Sequence, residues 1–376
     1  MSFVRPLLTS VTRRSDLASA GFDVTALPRD RWASADFVVA EVLGLARYPF
    51  EVACGRRVEA VAGDLIVGAF GKRQATLEVV GDWEDVGEDG LLDALTGAGV
   101  LGRATSVSPW IHPLTPLRYV GHATRDGQPL RMADFALRAR RNRLVAPVVL
   151  IVGTSMSAGK TTAARVIVRL LAARGLRVVA AKVTGAARYR DMLGCLDAGA
   201  AAVFDFVDVG LPSSIAPPRE YGRLLDVLLS NIAGQSPDAV VIEAGASPLE
   251  PYNGAIAVRR LRRLTRAVVL AASDPYAVLG VQEAFRLRPD VVTGPAANTS
   301  AGVALSEKLS GARALNVLDH AAASELDGIL LGRIQPGRRR PARPRTSSGQ
   351  RGRSGTLPRR GSTAPARRKD ASPAGP

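Results

Sequence analysis

The stretch IVGTSMSAGKTTAARV, residues 151–166, passes from an apolar strand through a glycine-bounded loop into a helix of small and basic residues. That order constrains the chain more than any other feature. Glycine and small residues let successive backbone N–H groups converge on an anion, and the helix that follows presents its positive end to it. Five residues separate Gly153 from Gly159, so the loop is one residue longer than the common G-x-x-x-x-G-K-[ST] pattern. A plain strand-to-helix turn needs no Gly-Lys-Thr-Thr at its end. Gly153, Thr154, Ser157, Ala158, Gly159, Lys160, Thr161 and Thr162 are therefore the candidate contacts of a nucleotide's phosphates. Lys160 is expected to reach the terminal phosphates and Thr161 to hold Mg²⁺.

From Val148 onward, short apolar runs alternate with helical stretches: VVLIVG, LRVVAAKVTG, AAVFDFVDVG, DAVVIEAG, RAVVLAAS and PDVVTG are separated by segments such as REYGRLLDVLLSNIAG. Continuous apolar strands between helices mean a parallel sheet buried on both faces. We expect an α/β domain over residues 145–335, a doubly wound and mostly parallel sheet carrying the phosphate loop. Ligands in such sheets lie beyond the carboxyl ends of the strands. Residues 1–140 carry short strands joined by Gly and Asp turns, with one helix expected at DGLLDALTGAGV, and read as a smaller α+β domain. The boundary falls in ALRARRNRLVAP.

The formal net charge of +16 suggests a nucleic-acid partner until it is divided along the chain. Residues 336–376 hold twelve Arg or Lys against one Asp, which leaves +5 for the rest. This Arg-, Pro-, Ser- and Gly-rich tail cannot bury enough apolar surface to offset chain entropy, and is expected to be disordered. It lacks aromatics that would stack on bases, so no specific nucleic-acid partner is expected. Cys54 and Cys195 show no metal-ligand spacing, which fits a reducing cytoplasm. No stretch has the length or apolarity of a signal sequence or membrane span, so a cytoplasmic protein, in some form a homo-oligomer, is the expectation.

The longer loop resembles that of dethiobiotin synthetases and their P-loop relatives. In that family the second strand ends in a K-P-V-x-x-G stretch, and AKVTGAARYRD places Lys182, Thr184 and Gly185 there, without the proline. The resemblance implies a metal-facing acid at Glu243, followed by Gly245 in VVIEAGAS, a second at Asp191, and an adenine-reading amide at Asn298 in VVTGPAANTSAG. Each has an ordinary structural alternative: a strand-end ion pair, a first-turn helix acid, a helix cap. The runs GTSMSAGKTT, VTGAARYRD, LDAGA, DFVDVGLPS and VIEAGASPLEPYNG further resemble a P-loop family that includes proteins assigned as D-glutamate N-acetyltransferases. That resemblance covers residues 145–335 and does not extend to the N-terminal domain.

Three functions stay open. In the first, an ATP-dependent (or GTP-dependent) transferase or ligase-like enzyme moves a phosphoryl group to a small carboxylate or amino-acid-like substrate. Lys160, Lys182 and Glu243 are its catalytic candidates, and Thr161, Glu243 and Asp191 its Mg²⁺ ligands. In the second, the loop holds the phosphates of acetyl-CoA for N-acyl transfer, with Glu243, Asp205 or Asp208 as base. CoA requires neither Thr161 nor Glu243, so the residues favour a metal–nucleotide site. The third is a nucleotide-switched binding protein or metallocentre chaperone, for which His112, His122 and His320 are too scattered to form a metal cluster. SPLEPYNG follows Glu243 at the same sheet edge, so Thr184, Glu250, Tyr252 and Asn253 are the candidate substrate contacts.

Overall fold

In a computed structural model the protein is described over residues 6–45 and 48–335. The basic tail expected to be disordered lies outside the described residues.

Residues 7–129 supply a ten-stranded, mostly antiparallel sheet, extended by a separate pairing of Phe50–Glu51 with Arg57–Val58. Its one described α-helix is the single turn Leu17–Ala20. The helix expected at DGLLDALTGAGV is instead a strand, Leu91–Ala94, that turns back into a second strand, Val100–Val107, with Leu101 opposite Ala94. Leucines at 91, 92 and 95 suit a helical period, but Leu92 and Ala94 point to one buried face in strand alternation. Gly99 ends the helical option: its φ is +93°, and a Cβ there would sit 2.0 Å from the Thr9 hydroxyl.

The second sheet has seven strands, all parallel. Its elements run β1 (Val148–Gly153), α1 (Lys160–Ala173), β2 (Val178–Thr184), α2 (Tyr189–Asp197), β3 (Ala202–Asp205) and α3 (Pro218–Ala233). They continue through β4 (Ala239–Ala244), α4 (Gly254–Leu261), β5 (Thr265–Ala271), α5 (Pro275–Phe285), β6 (Val291–Thr293), α6 (Ser300–Ser310), β7 (Arg313–Ala314) and α7 (His320–Ile334). The strand order is β3-β2-β4-β1-β5-β6-β7. Alternation along β1 sends Val149 and Ile151 into one core with α1, α2 and α7, and Val148, Leu150 and Val152 into another with α3, α4 and α5. The expected doubly wound α/β architecture is what the chain adopts. β1 sits at the centre, with β4 and β5 at its sides, so the loop leaving β1 opens beside the ends of both.

The two sheets belong to one compact unit, and charged groups fasten them. Both oxygens of Glu51 accept from the first turn of α2, at 2.7 Å from the Tyr189 N–H and 2.9 Å from the Arg190 N–H. These N–H groups have no partner within the helix, so a carboxylate there satisfies them and opposes the helix dipole. Arg13 pairs with Asp205 (2.6 Å) and Asp208 (3.0 Å) and stacks over Tyr189. A hairpin formed by Lys72–Gln74 and Val79–Asp82 reaches over the phosphate loop.

Candidate functional site

Strand pairing brings the charged residues together. Ile151 of β1 lies opposite Glu243 of β4, and Glu243 lies opposite Lys182 of β2. Three neighbouring strands thus end in the loop, a carboxylate and an ammonium. Lys160 opens α1 and folds back across Gly153, where a Cβ would come within 2.7 Å of its Cδ. Its ammonium donates to the carbonyls of Ser155 and, at 3.4 Å, Met156. No side chain caps α1, and its first turn holds no acid. The loop therefore offers an open helix N-terminus with a buried lysine beside it.

Glu243 is 2% exposed. Its Oε1 accepts from the Thr161 hydroxyl at 3.3 Å, while its Oε2 is buried with no partner. Burial pushes its carboxyl above the usual range, against the pull of Lys182 and Lys160. Lys182 is buried as well, which alone would lower its pKa; Asp191, 2.7 Å away, and Glu243 outweigh this, and the ammonium is held above its ordinary value. No carboxylate contacts Lys160: burial takes its ammonium down to about 8, against the pull of Glu243 and with Lys182 nearby. A hard-oxygen pair with one unused carboxylate oxygen is a donor set that suits Mg²⁺. Asp191 is engaged by Lys182 rather than by that pair.

These groups line a cavity of about 360 Å³ shared by both halves of the protein. Lys160, Lys182, Arg165, Arg188, Arg190 and, from the N-terminal hairpin, Arg73 face only Glu78, Asp191 and Glu243. Ser157, Gly159, Thr161 and Thr162 are also in its wall. The Ser157 hydroxyl donates to Glu78 at 2.9 Å, so the hairpin touches the phosphate loop directly. Arg73, Glu78 and Thr96 had no signal in the sequence, because nothing local marks a strand tip that meets a loop some eighty residues later.

Other candidates lie elsewhere. The Thr154 hydroxyl ties the loop to Ser273 (3.2 Å), and Ala158 is buried. Thr184 is buried with its hydroxyl unpartnered, outside the cavity lining. Glu250 accepts from the N–H groups of Thr76 (3.1 Å) and Ser247 (2.6 Å) and from the Thr76 hydroxyl. Tyr252 is fully buried against Met156, and its hydroxyl accepts from the Gln74 N–H at 2.8 Å. Asn253 donates to the Ser214 and Ala216 carbonyls. This turn thus holds the hairpin over the loop, and none of the three lines the cavity. Asn298 is exposed on the β6–α6 connection, whose Gly294 passes close to Gly159, and is likewise outside the lining. Asp205 and Asp208 are held by Arg13, and His122 is buried between Tyr119 and Asp36.

Strand, loop, uncapped helix and strand-end acid together define a P-loop domain. A family model described as a domain of unknown function (DUF1611_C), P-loop domain, matches residues 136–197. No curated protein matches the chain. Among solved structures, a DUF1611 family protein from Anabaena variabilis is similar at 15% identity and a TM-score of 0.35, over 55% of this chain and 65% of that one. The signal recognition particle 54 kDa protein from Aeropyrum pernix, in complex with GDP, is similar at 18% identity and a TM-score of 0.33, over 50% and 49%. The hydrogenase maturation factor HypB from Archaeoglobus fulgidus is similar at 15% identity and a TM-score of 0.34, over 50% and 89%. The chain spans about half the length of the signal recognition particle protein it matches. Among the described residues no helix is long and apolar enough to cross a membrane.

Proposed function

We propose that the protein is an enzyme that binds a purine nucleoside triphosphate with Mg²⁺ on the 153–162 loop and uses it to phosphorylate or activate a small acid. The observation that carries this reading is Lys160, a buried ammonium resting on two loop carbonyls beside an uncapped helix N-terminus. Those carbonyls are a poor substitute for phosphate oxygens, and a bound polyphosphate would supply the counter-charge that burial denies. Thr161 and Glu243 would hold Mg²⁺, which neutralises phosphate charge when bound.

The cavity's charge fits a second anion beside the nucleotide. Six cationic side chains against three carboxylates leave a surplus of three. A magnesium–triphosphate complex carries a net charge of roughly −2, so a cationic excess persists for an acidic acceptor. Lys182, kept charged by Asp191, faces that acceptor and orients it; positioning and charge neutralisation carry most of such reactions.

Isothermal titration of the full chain with ATP, GTP and acetyl-CoA, with and without Mg²⁺, tests the reading. Binding of a triphosphate that requires Mg²⁺ and is abolished by Lys160→Ala supports it. Metal-independent binding of acetyl-CoA, with no response to either triphosphate, overturns it in favour of N-acyl transfer.

A further inference from the structure

Beyond the phosphate chamber lies a smaller pocket of about 90 Å³, walled by Tyr48, Pro49, Glu51, Arg57, Gly97, Ala98, Arg188 and Arg190. Arg188 and Arg190 line both spaces, so they form the partition between them. Its volume is about that of three waters, enough for one carboxylate or phosphate head group. All of its walls except the two arginines come from the N-terminal half.

The pocket's charge is unbalanced. Its single carboxylate, Glu51, has both oxygens occupied, Oε1 by the Ser10 hydroxyl and the Tyr189 N–H, and Oε2 by the Arg190 N–H. Arg188 donates to the Tyr48 hydroxyl, a neutral acceptor. The guanidinium groups of Arg57 and Arg190 are on exposed residues, and the three bonds Glu51 accepts come from the Ser10 hydroxyl and two backbone N–H groups rather than from either guanidinium. Three guanidinium groups therefore share this pocket with one carboxylate already engaged by other donors, although Arg188 also feels Asp191 and Glu78 from the main cavity. Arginine is also the side chain whose planar fork suits carboxylate and phosphate oxygens.

We propose that Arg57, Arg188 and Arg190 bind the anionic head of the acceptor substrate in this side pocket, with its reacting end directed past the partition toward Lys182 and the phosphate loop. This rests on the nucleotide reading and adds the substrate class: a small acid with an anionic group a few bonds from the group that reacts. The N-terminal half thereby selects the substrate, while the P-loop half holds the nucleotide.

The experiment titrates the full chain, saturated with a non-hydrolysable Mg·ATP analogue, with acetate, succinate and glutarate in one arm and inorganic phosphate and methylphosphonate in the other. Binding in the first arm alone assigns a carboxylate head, and in the second alone a phosphate head. The variants are Arg57→Ala and Arg190→Ala, both at exposed side chains, with circular dichroism as the control on folding. Each variant is expected to weaken the bound anion by about tenfold, and Arg57→Ala, which lies outside the phosphate cavity, should leave the affinity for the nucleotide analogue within about twofold. Anion binding unchanged in both variants, or no binding of any probe by the parent chain, overturns the assignment. Loss of nucleotide binding by the parent chain would instead remove the reading on which it rests; repeating the anion titrations without nucleotide separates the two failures.

Discussion

The two walls of the cavity are built from the same kinds of side chain in opposite states. On the N-terminal side each carboxylate oxygen has a partner: Glu51, in the side pocket, takes the first N–H groups of α2 and the Ser10 hydroxyl, and Glu78, in the main cavity, takes Arg73 and Ser157. On the P-loop wall Lys160 rests on carbonyls and Glu243 keeps a buried oxygen without a partner. A saturated group has nothing to gain from a ligand. An under-satisfied buried one gains the interaction that burial removed. Glu51 and Glu78 are therefore clamps between the two halves, and Lys160 and Glu243 are where a nucleotide changes the energetics.

Lys160→Ala tests the contrast most strongly. Removing the ammonium should lower the affinity for the magnesium triphosphate by at least about a hundredfold, because a charge-assisted contact is lost in a buried site. The melting temperature of the ligand-free protein should change little, since the ammonium is held only by loop carbonyls and its burial offsets the pull of Glu243. A large loss of stability without ligand would mean that Lys160 belongs to the fold, and the contrast between the walls would fail.

Tyr252→Ala is the converse. Truncating this fully buried ring and leaving the Gln74 N–H without its acceptor should cost about 3–5 kcal/mol of stability, read by denaturant unfolding. Nucleotide affinity of the folded fraction should change little. Unimpaired stability with lost turnover would restore SPLEPYNG as a substrate contact and make the clamp part of the chemistry.

How much of this was legible follows from the range of the interactions. The seven-stranded sheet and the placement of Lys182 and Glu243 could be read because each lies at a strand end within a repeating pattern, and that of Lys160 and Thr161 because they open the helix after the loop; topology places parallel strand ends together. Leu91–Ala94 misled because four residues with leucines at both spacings fit two periods, and only Gly99 and its neighbours decide between them. Arg73, Glu78 and Glu51 were invisible for another reason: their roles exist only where one sheet meets the other. Arg188 and Arg190 stand in view in AARYRD, but a basic pair at the start of a helix is an ordinary solvated pattern until a cavity is found on it.

A smaller effect separates the two jobs of Glu243. Glu243→Gln keeps its size and its acceptor for Thr161 but removes the charge. Affinity for the triphosphate in Mg²⁺ should fall by about tenfold, while affinity in EDTA should stay within about twofold of the parent. Equal affinity in both media for the variant and the parent would place any metal elsewhere. The saturated Glu250 gives the comparison, since Glu250→Gln should leave the ratio between the two media unchanged.

The finest test is the proton that Lys160 exchanges. In the free protein burial holds its pKa at about 8, against 10.5 in its ordinary setting. Between those values the unfolded chain carries more protons than the native one, so this residue's contribution makes the ligand-free protein more stable as pH rises through that window. Phosphate oxygens favour the ammonium and push its pKa back up, so binding should take up a proton. Uptake should be near zero at about pH 7, approach one proton at about pH 9, and bring with it a loss of affinity of up to about tenfold per pH unit. Titration calorimetry in two buffers of different ionisation enthalpy reads the proton count directly. Lys182, held charged by Asp191 and Glu243, should contribute nothing in this range. Uptake that survives in Lys182→Met locates the titration at Lys160 and so on the under-satisfied wall; uptake that vanishes there would move it to the lysine that has a carboxylate partner and erase the difference between the two.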